Sequence, residues 1–332
     1  MSQTILITGP TGAVGPSVVE AFHEAGYKIR TLSRSVPKTG IFPADVESRV
    51  GDVTDPSAIQ EALSGVDTVI HMAGLLHINN PPDSMRQEYE RINVGGARTV
   101  VESAARANVK RVVFFSTISV YGASDGQVLV ENSDLKPDSL YAQTKLAAEQ
   151  VVLNTKRADG QPIGTVLRLA AVYGPRVKAN YLRLAKSLAR SRFVPIGKGM
   201  NRRTLIYDKD VANAALLVAQ HPNAAGRIYN VSDGKLHSLN EIVGTICEAL
   251  GRRPPMCGVP VSLAQFLAKV AENCFSLLGR RSPVTRDMVA KYIEDVAVDS
   301  SLIQKELGFV PQYNLRTGWA ETIRQMRLAG DI

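Results

Sequence analysis

Thr8-Gly9-Pro10-Thr11-Gly12-Ala13-Val14-Gly15 lies between a short apolar run, Thr4 to Thr8, and an amphipathic stretch of helical length that opens at Pro16. A glycine loop in that context, between a first strand and a first helix, is what a dinucleotide phosphate requires. Gly9 permits the tight turn, Gly12 lets backbone approach a pyrophosphate, and Gly15 lets helix and strand pack closely. The helix N-terminus then faces the anion with unpaired amides and a favourable dipole. Pro16 suits the opening turn of the helix and Gly26 its C-terminal cap.

Outward from this loop the pattern repeats. Lys28 to Leu32, Thr68 to His71, Val112 to Ser116 and Gly164 to Leu169 read as further buried strands, with helix-length amphipathic stretches between them. Asp55-Pro56 starts one such helix, which ends near Gly65. Alternation of this kind predicts an α/β fold, a doubly wound parallel sheet with helices on both faces. After about residue 175 the texture changes, with Gly-Lys-Gly at 197–199, Arg-Arg-Pro-Pro at 252–255 and longer gaps between strand candidates. The expected organisation is a nucleotide-binding domain over 1–175 and a smaller, mainly helical substrate lobe over 176–332. Residues around 204–232 are expected to cross back to the first domain.

The second strand of a dinucleotide-binding unit commonly ends on an acidic side chain that holds the ribose 2′-hydroxyl of NAD. This chain has Ser33-Arg34 there. A guanidinium pairs with a 2′-phosphate and stacks on adenine, so the expected cofactor is NADP in preference to NAD. Asp52 and Val53, after the third strand, are placed to meet the adenine edge. Ala73 and Gly74, after the fourth, let backbone approach the cofactor.

Tyr141 and Lys145 in Tyr-Ala-Gln-Thr-Lys share one helical face, one turn apart. Bringing a phenol with an ordinary pKa of about 10 to neutrality takes roughly 4 kcal/mol of differential stabilisation. One adjacent cation falls short of that, so a second positive charge, such as an oxidised nicotinamide, is expected to complete the effect. The spacing by itself also suits an exposed pair on any amphipathic helix.

Composition narrows the class. The 332 residues are 45% hydrophobic, ordinary for a soluble globular chain with a sizeable core. The 39 basic and 31 acidic residues give +8, but the basic residues are scattered, which suits anionic small substrates better than nucleic acid. Cys247, Cys257 and Cys274 form no Cys-x-x-Cys pair and have no histidine at zinc spacing; free buried thiols in a reducing cytoplasm are expected, and no metal. The N-terminus lacks the pattern of a signal peptide. The most apolar segment, Val261 to Gly279, is interrupted by Gln265, Lys269, Glu272 and Asn273, so it falls short of a membrane span. Its Leu263, Phe266, Leu267, Val270 and Phe275 predict an amphipathic helix that packs on the core or lids a pocket, with contact to a membrane surface as the other reading.

Taken in order, the glycine loop, Asp52, Val69-Ile70-His71-Met72-Ala73-Gly74, Asn93-Val94-Gly95-Gly96, Ser116-Thr117-Ile118-Ser119-Val120-Tyr121-Gly122 and the Tyr141/Lys145 pair resemble the extended short-chain dehydrogenase/reductases, in their NAD(P)-dependent epimerase/dehydratase branch. The resemblance extends through Val172-Tyr173-Gly174-Pro175, the run Arg203 to Asp210, and Leu307-Gly308-Phe309-Val310-Pro311. It implies a Rossmann-type sheet with Tyr141 as acid/base, Lys145 binding the nicotinamide ribose and holding the phenol pKa down, and Thr117 orienting the reacting oxygen. Asn93 is expected to fix backbone near the site. The resemblance also implies a homodimer formed through the helices around 93–107 and 141–157.

Family members that dehydrate a sugar carry an Asp-Glu pair after the catalytic threonine, and the sugar decarboxylases carry a Glu there. Here those positions are Ile118 and Ser119, so dehydration and decarboxylation of that type are not expected. Reversible hydride transfer remains, as a ketoreductase or an epimerase. Asn180 and Arg203 lie where nucleotide-sugar members contact the diphosphate, and Lys-Ala-Asn followed by Asn-Arg-Arg resembles the UDP-N-acetyl-hexosulose 4-reductases and related 4-epimerases of polysaccharide pathways. Leu169-Ala170-Ala171 departs from the usual Pro-Phe-Asn and keeps 3β-hydroxysteroid-dehydrogenase-like and other apolar-ketone reductases open. A non-catalytic NADP-binding regulator is the third reading; such chains usually lose the tyrosine or lysine.

Overall fold

Strands buried on both faces need apolar side chains on both faces, and the first strand shows why this sequence makes them. In β1 (Thr4–Thr8) Ile5 and Ile7 enter one core cluster while Leu6 enters another, the two lying on opposite sides of the sheet. The computed structural model describes residues 3–332 except 77, 79, 80, 178, 179, 256, 257, 278, 279, 281 and 283. In chain order β1 is followed by α1 (Gly15–Glu24), β2 (Lys28–Ser33), β3 (Glu47–Val50), α2 (Pro56–Ala62) and β4 (Thr68–His71). Then come α3 (Arg86–Tyr89), a π-helical segment (Glu90–Gly95), α4 (Gly96–Arg106), β5 (Arg111–Thr117), a 3-10 turn (Ile118–Tyr121), α5 (Leu140–Asn154) and β6 (Gly164–Leu169).

The second half holds β7 (Ala171–Tyr173), α6 (Asn180–Ala189), β8 (Arg202–Arg203), β9 (Leu205–Tyr207), α7 (Asp208–Gln220) and β10 (Ile228–Val231). It ends with β11 (His237–Ser238), α8 (Leu239–Leu250), α9 (Val261–Leu277), α10 (Arg286–Ile293), α11 (Ser301–Leu307) and α12 (Leu315–Leu328).

The main sheet has seven parallel strands in the order β10-β6-β5-β4-β1-β2-β3. Strand order reverses between β1 and β4, and the crevice beyond the carboxyl ends at such a switch point is where this architecture binds ligands. On one face α1, α7 and α11 cover Ile5, Ile7, Val113 and Leu167; on the other α2, α4 and α5 cover Leu6, Val69, Val112 and Val166. The chain leaves the sheet after β6 and returns to it as β10, with α7 packed on α1. A third cluster, built from Tyr173, Tyr207, Ile242, Ile246 and Trp319, is the core of the C-terminal region, and Tyr173 stacks on Trp319 at 4.9 Å.

Two polar clusters, one around His71 and one around Glu149, are buried inside this apolar frame. His71, at the end of β4, sits with Nδ1 2.7 Å from Thr8 Oγ1 and its ring 5.6 Å from that of Phe114. Burial, and secondly the charge on Lys145, pull its pKa down to about 3. Glu149 of α5 and Arg168 of β6 form a fully buried ion pair, with Nη2 to Oε2 at 2.7 Å and Nε at 3.1 and 3.2 Å from the two carboxylate oxygens. Arg168 Nη1 also donates to Tyr121 Oη at 2.8 Å and to the Glu131 carbonyl at 3.1 Å. Tyr121 passes its hydroxyl proton towards Asn230 Oδ1 on β10, at 2.8 Å. Ser116 Oγ completes the carboxylate's shell by donating to Glu149 Oε1.

Two outcomes follow for stability. Glu149→Ala strands the Arg168 charge in the core and should lower unfolding free energy by about 3–5 kcal/mol. Replacing both Glu149 and Arg168 with methionine should recover part of that loss in urea denaturation. For His71, the unfolded chain takes up a proton below about pH 6.5 while the folded chain holds out to about 3. Stability is therefore lost as pH falls through that window, by about 1.4 kcal/mol per pH unit. Between pH 7 and pH 5, His71→Gln should lose about 2 kcal/mol less than wild type; equal losses in paired urea titrations would place the acid sensitivity elsewhere.

Candidate active site

Backbone bonds tie the glycine loop to β2 and then to itself: Gly9 N donates to Leu32 O at 3.1 Å, Gly12 N to Gly9 O at 3.1 Å and Gly15 N to Gly12 O at 3.2 Å. Gly9 has φ +71, and a Cβ there would stand 2.8 Å from Ala73 backbone; one on Gly15 would stand 1.9 Å from the Pro10 carbonyl. Ala13 and Val14 lead into α1, whose N-cap position, Val14, supplies no side-chain cap. Gly15 N is taken by Gly12 O and Pro16 has no N–H, so what the α1 end offers an anion is its positive dipole at the mouth of a loop with no side chain in the way, which fits a dinucleotide pyrophosphate.

Around the loop stand the other carboxyl-end residues. Ser33 is buried and donates its hydroxyl to Ser35 O at 2.8 Å, while Arg34 beside it is exposed. Asp52 accepts from Thr54 N and Thr54 Oγ1, both at 2.9 Å. Burial raises the pKa of Asp52, but the Thr54 bonds and the charges of Arg91 and Arg34 outweigh it, and the carboxyl sits below its usual range. Val53 is buried against α4, where a Cβ on Gly96 would come within 2.9 Å of it. Ala73 N lies 3.4 Å from Thr8 Oγ1, and Gly74 leaves room for Asn93, whose Oδ1 would be 2.9 Å from an added Cβ.

Thr117 ends β5 and caps the 3-10 turn, accepting from Ser119 N at 3.2 Å and donating to Ser119 Oγ at 3.1 Å. Tyr141 lies in the first turn of α5, which Ser139 caps, and α5 packs on β5 and on that 3-10 turn. Lys145 is buried one turn further on, with Nζ 4.1 Å from the centroid of Phe114. Burial pulls its pKa down to about 7 against the opposing pull of Glu149. Tyr141 departs from expectation: burial, and then Tyr89, push its phenol up to about 12. Both influences disfavour the phenolate, so within the chain alone the phenol is held protonated.

Asn93 locks this arrangement from the π-helical segment. Its Oδ1 accepts from Leu75 N at 2.7 Å, and Nδ2 donates to Thr144 Oγ1 at 3.1 Å and Leu75 O at 3.3 Å. Thr144 in turn donates to the Tyr141 carbonyl at 3.0 Å. One amide therefore ties the loop after β4 to the turn that carries Tyr141. π-Helical insertions recur at functional sites, and here the extra residue aims Asn93 inward.

On the substrate side, Asn180 is exposed as the first residue of α6; Lys178 and Ala179 of the same motif lie outside the described residues. Arg203, half-buried on β8, donates from Nη2 to the carbonyls of Lys291 at 2.6 Å and Tyr292 at 3.2 Å. Arg202 pairs with Asp295 at 3.1 Å. The supporting groups Thr144, Glu149, Arg168 and Tyr121 were not anticipated. The available signal was an acid at position 149 continuing the 141/145 stripe for another turn, beside an arginine in an otherwise apolar strand.

Residues 5–232 match the sequence profile of the NAD dependent epimerase/dehydratase family. An Escherichia coli O157:H7 enzyme, N-acetyl-alpha-D-glucosaminyl-diphospho-ditrans,octacis-undecaprenol 4-epimerase, is 26% identical over 329 residues, covering 98% of this chain and 95% of its own. A 3 beta-hydroxysteroid dehydrogenase/Delta 5-->4-isomerase of Mycobacterium tuberculosis is 24% identical, covering 96% and 89%. Among solved structures, MoeE5 in complex with UDP-glucose and NAD superposes with a TM-score of 0.76 at 28% identity, covering 98% of this chain and 99% of that one. With the profile spanning most of the chain and the glycine cradle, switch point and parallel sheet all in place, the protein belongs to the NAD-dependent epimerase/dehydratase family of extended short-chain dehydrogenase/reductase enzymes.

Proposed function

We propose that the protein moves hydride at a sugar carbon of a nucleoside-diphosphate sugar, as a 4-ketoreductase or a 4-epimerase in the making of a polysaccharide precursor. The observation that carries this reading is Tyr141 and Lys145 on α5, against β5 with Thr117 at its end, where Ile118 is sunk in the core and Ser119 carries only a hydroxyl. Neither residue after the threonine is an acid, so simple hydride exchange at a carbonyl fits the site better than elimination.

Gly9, Gly12 and Gly15 would hold a nicotinamide dinucleotide, which would supply or remove the hydride when bound. The chain's own groups handle the oxygen. Thr117, steadied by Ser119, hydrogen-bonds the substrate carbonyl and fixes its orientation. Tyr141, half-buried and held protonated, gives the phenolic proton to that oxygen as negative charge develops. Lys145 would bind the nicotinamide ribose, and Asn93 through Thr144 holds the tyrosine's turn in register.

NADP is the proposed cofactor, on the strength of exposed Arg34 at the end of β2, where NAD users carry an acid. A homodimer through α4 and α5 belongs to the same proposal. One observation favours a second reading: Ala171, half-buried at the start of β7, stands where the family's Pro-Phe-Asn has its asparagine, and the Arg203 guanidinium is engaged by two carbonyls. Both features suit an apolar ketone.

Turnover of a UDP-N-acetyl-4-keto-hexose, followed through NADPH oxidation, tests the first reading against a 3β-hydroxysteroid as rival substrate. Tyr141→Phe should cut kcat by 10²- to 10⁴-fold with KM little changed; undiminished turnover in that variant would remove the acid role. Arg34→Ala should weaken NADP binding by ten-fold or more while leaving NAD nearly untouched, since a charge-assisted bond to phosphate contributes about 1.5–3 kcal/mol. Stoichiometric NAD released on denaturing the purified protein would instead identify a cofactor-retaining epimerase.

A further inference from the structure

Helix α9 is built inside out. Its buried positions are Ala264 and Ala268, which meet Val289 of α10 with Ile196 and Val259. Its large apolar side chains point the other way: Leu263 is 46% exposed, Phe266 61%, Leu267 53%, Val270 42% and Leu277 88%. The expectation that these residues pack on the core is therefore corrected. The two alanines face inward, where α10 packs on α9 through Val289. The exposed positions recur at i, i+3, i+4, i+7 and i+14, with exposed Cys274 at i+11, so they form one stripe along about 20 Å of helix. Scattered single leucines on a surface need no explanation, but a continuous stripe of this length does.

The charge around the stripe says what covers it. Between residues 252 and 291 the chain has seven arginines and lysines against two acids, Glu272 and Asp287, so this segment holds most of the protein's net +8. Glu272 is already engaged with Arg286, at 2.9 Å. Lys269 is exposed on α9 itself. A two-fold contact between copies would set this basic segment against itself, whereas an anionic surface neutralises it. Among the described residues no helix is long and apolar enough to cross a membrane, so the helix can only lie in the interface.

We propose that α9 docks the protein peripherally on an anionic phospholipid bilayer, with Leu263, Phe266, Leu267, Val270 and Leu277 immersed among the acyl chains and the flanking arginines and lysines on the headgroups. The inference stands apart from the identity of the sugar or ketone. It also gives the segment a role that a lid over the site does not, because its large side chains face away from the protein.

Full-length protein is sedimented with vesicles of equal parts phosphatidylglycerol and phosphatidylcholine, and separately with pure phosphatidylcholine. Wild type should pellet with the anionic vesicles and be released several-fold by raised salt. Phe266→Glu/Leu267→Glu should reduce partitioning at least ten-fold with an unchanged melting temperature and unchanged turnover of a soluble substrate. Val310→Glu, at an equally exposed apolar position elsewhere, should bind like wild type. Wild type left in the supernatant, or a double variant that pellets equally well, would overturn the proposal. So would self-association in sedimentation velocity that the double variant abolishes, since the stripe would then belong to a second copy.

Discussion

The Glu149–Arg168 pair is the constraint on which the active end of the molecule depends. Taking two charges out of water is costly unless every hydrogen-bonding position is filled. Here they are filled by three elements: Ser116 from β5, Tyr121 from the 3-10 turn and the Glu131 carbonyl from the following loop. Tyr121 carries the connection on to Asn230 of β10. α5 cannot slide or rotate without breaking this set. Because Lys145 and Tyr141 lie one and two turns up the same helix, the buried pair also fixes the height of the phenol above the sheet.

Above that anchor the electrostatics are those of a dry recess. Burial favours the neutral forms of both ionisable groups, raising the tyrosine and lowering the lysine, and His71 below them is held neutral for the same reason. In the chain alone the phenol keeps its proton. Asn93 acts mechanically, as its amide bonds both the loop after β4 and Thr144.

Much of the first half was legible in the sequence. β1, β4 and β6 have the residue limits that their apolar runs announce, since a strand buried on both faces reads as an unbroken run. α2 starts at Asp55-Pro56 as its capping chemistry requires, with Asp55 accepting from Ser57 N. The second half was less legible. β7, β8, β9 and β11 are two or three residues long and exist only through their partners, so no local pattern marks them. In α9 the periodicity identified an apolar face but not its neighbour. Cys274, expected to be buried, is exposed on that face, Cys247 is buried as expected, and Cys257 lies outside the described residues. Side-chain partners across the sheet, such as Arg168 for Glu149, leave no trace in spacing because they join elements distant in sequence.

The return of the chain to the sheet as β10 has a consequence for biosynthesis. β6 is complete at Leu169, but its outer neighbour does not begin until Ile228. At about 5–20 residues per second, a ribosome takes several seconds to make the intervening sixty or so residues. Throughout that interval the nascent chain presents a glycine cradle that is already whole and a sheet whose β6 edge is still open. An open edge is a template for pairing with another chain. The buried Arg168 waits on the same event, because Tyr121, one of its ligands, has no acceptor until Asn230 has been synthesised. Pairing of β6 with its outer neighbour and completion of the hydrogen bonds around Arg168 therefore both wait on the synthesis of β10.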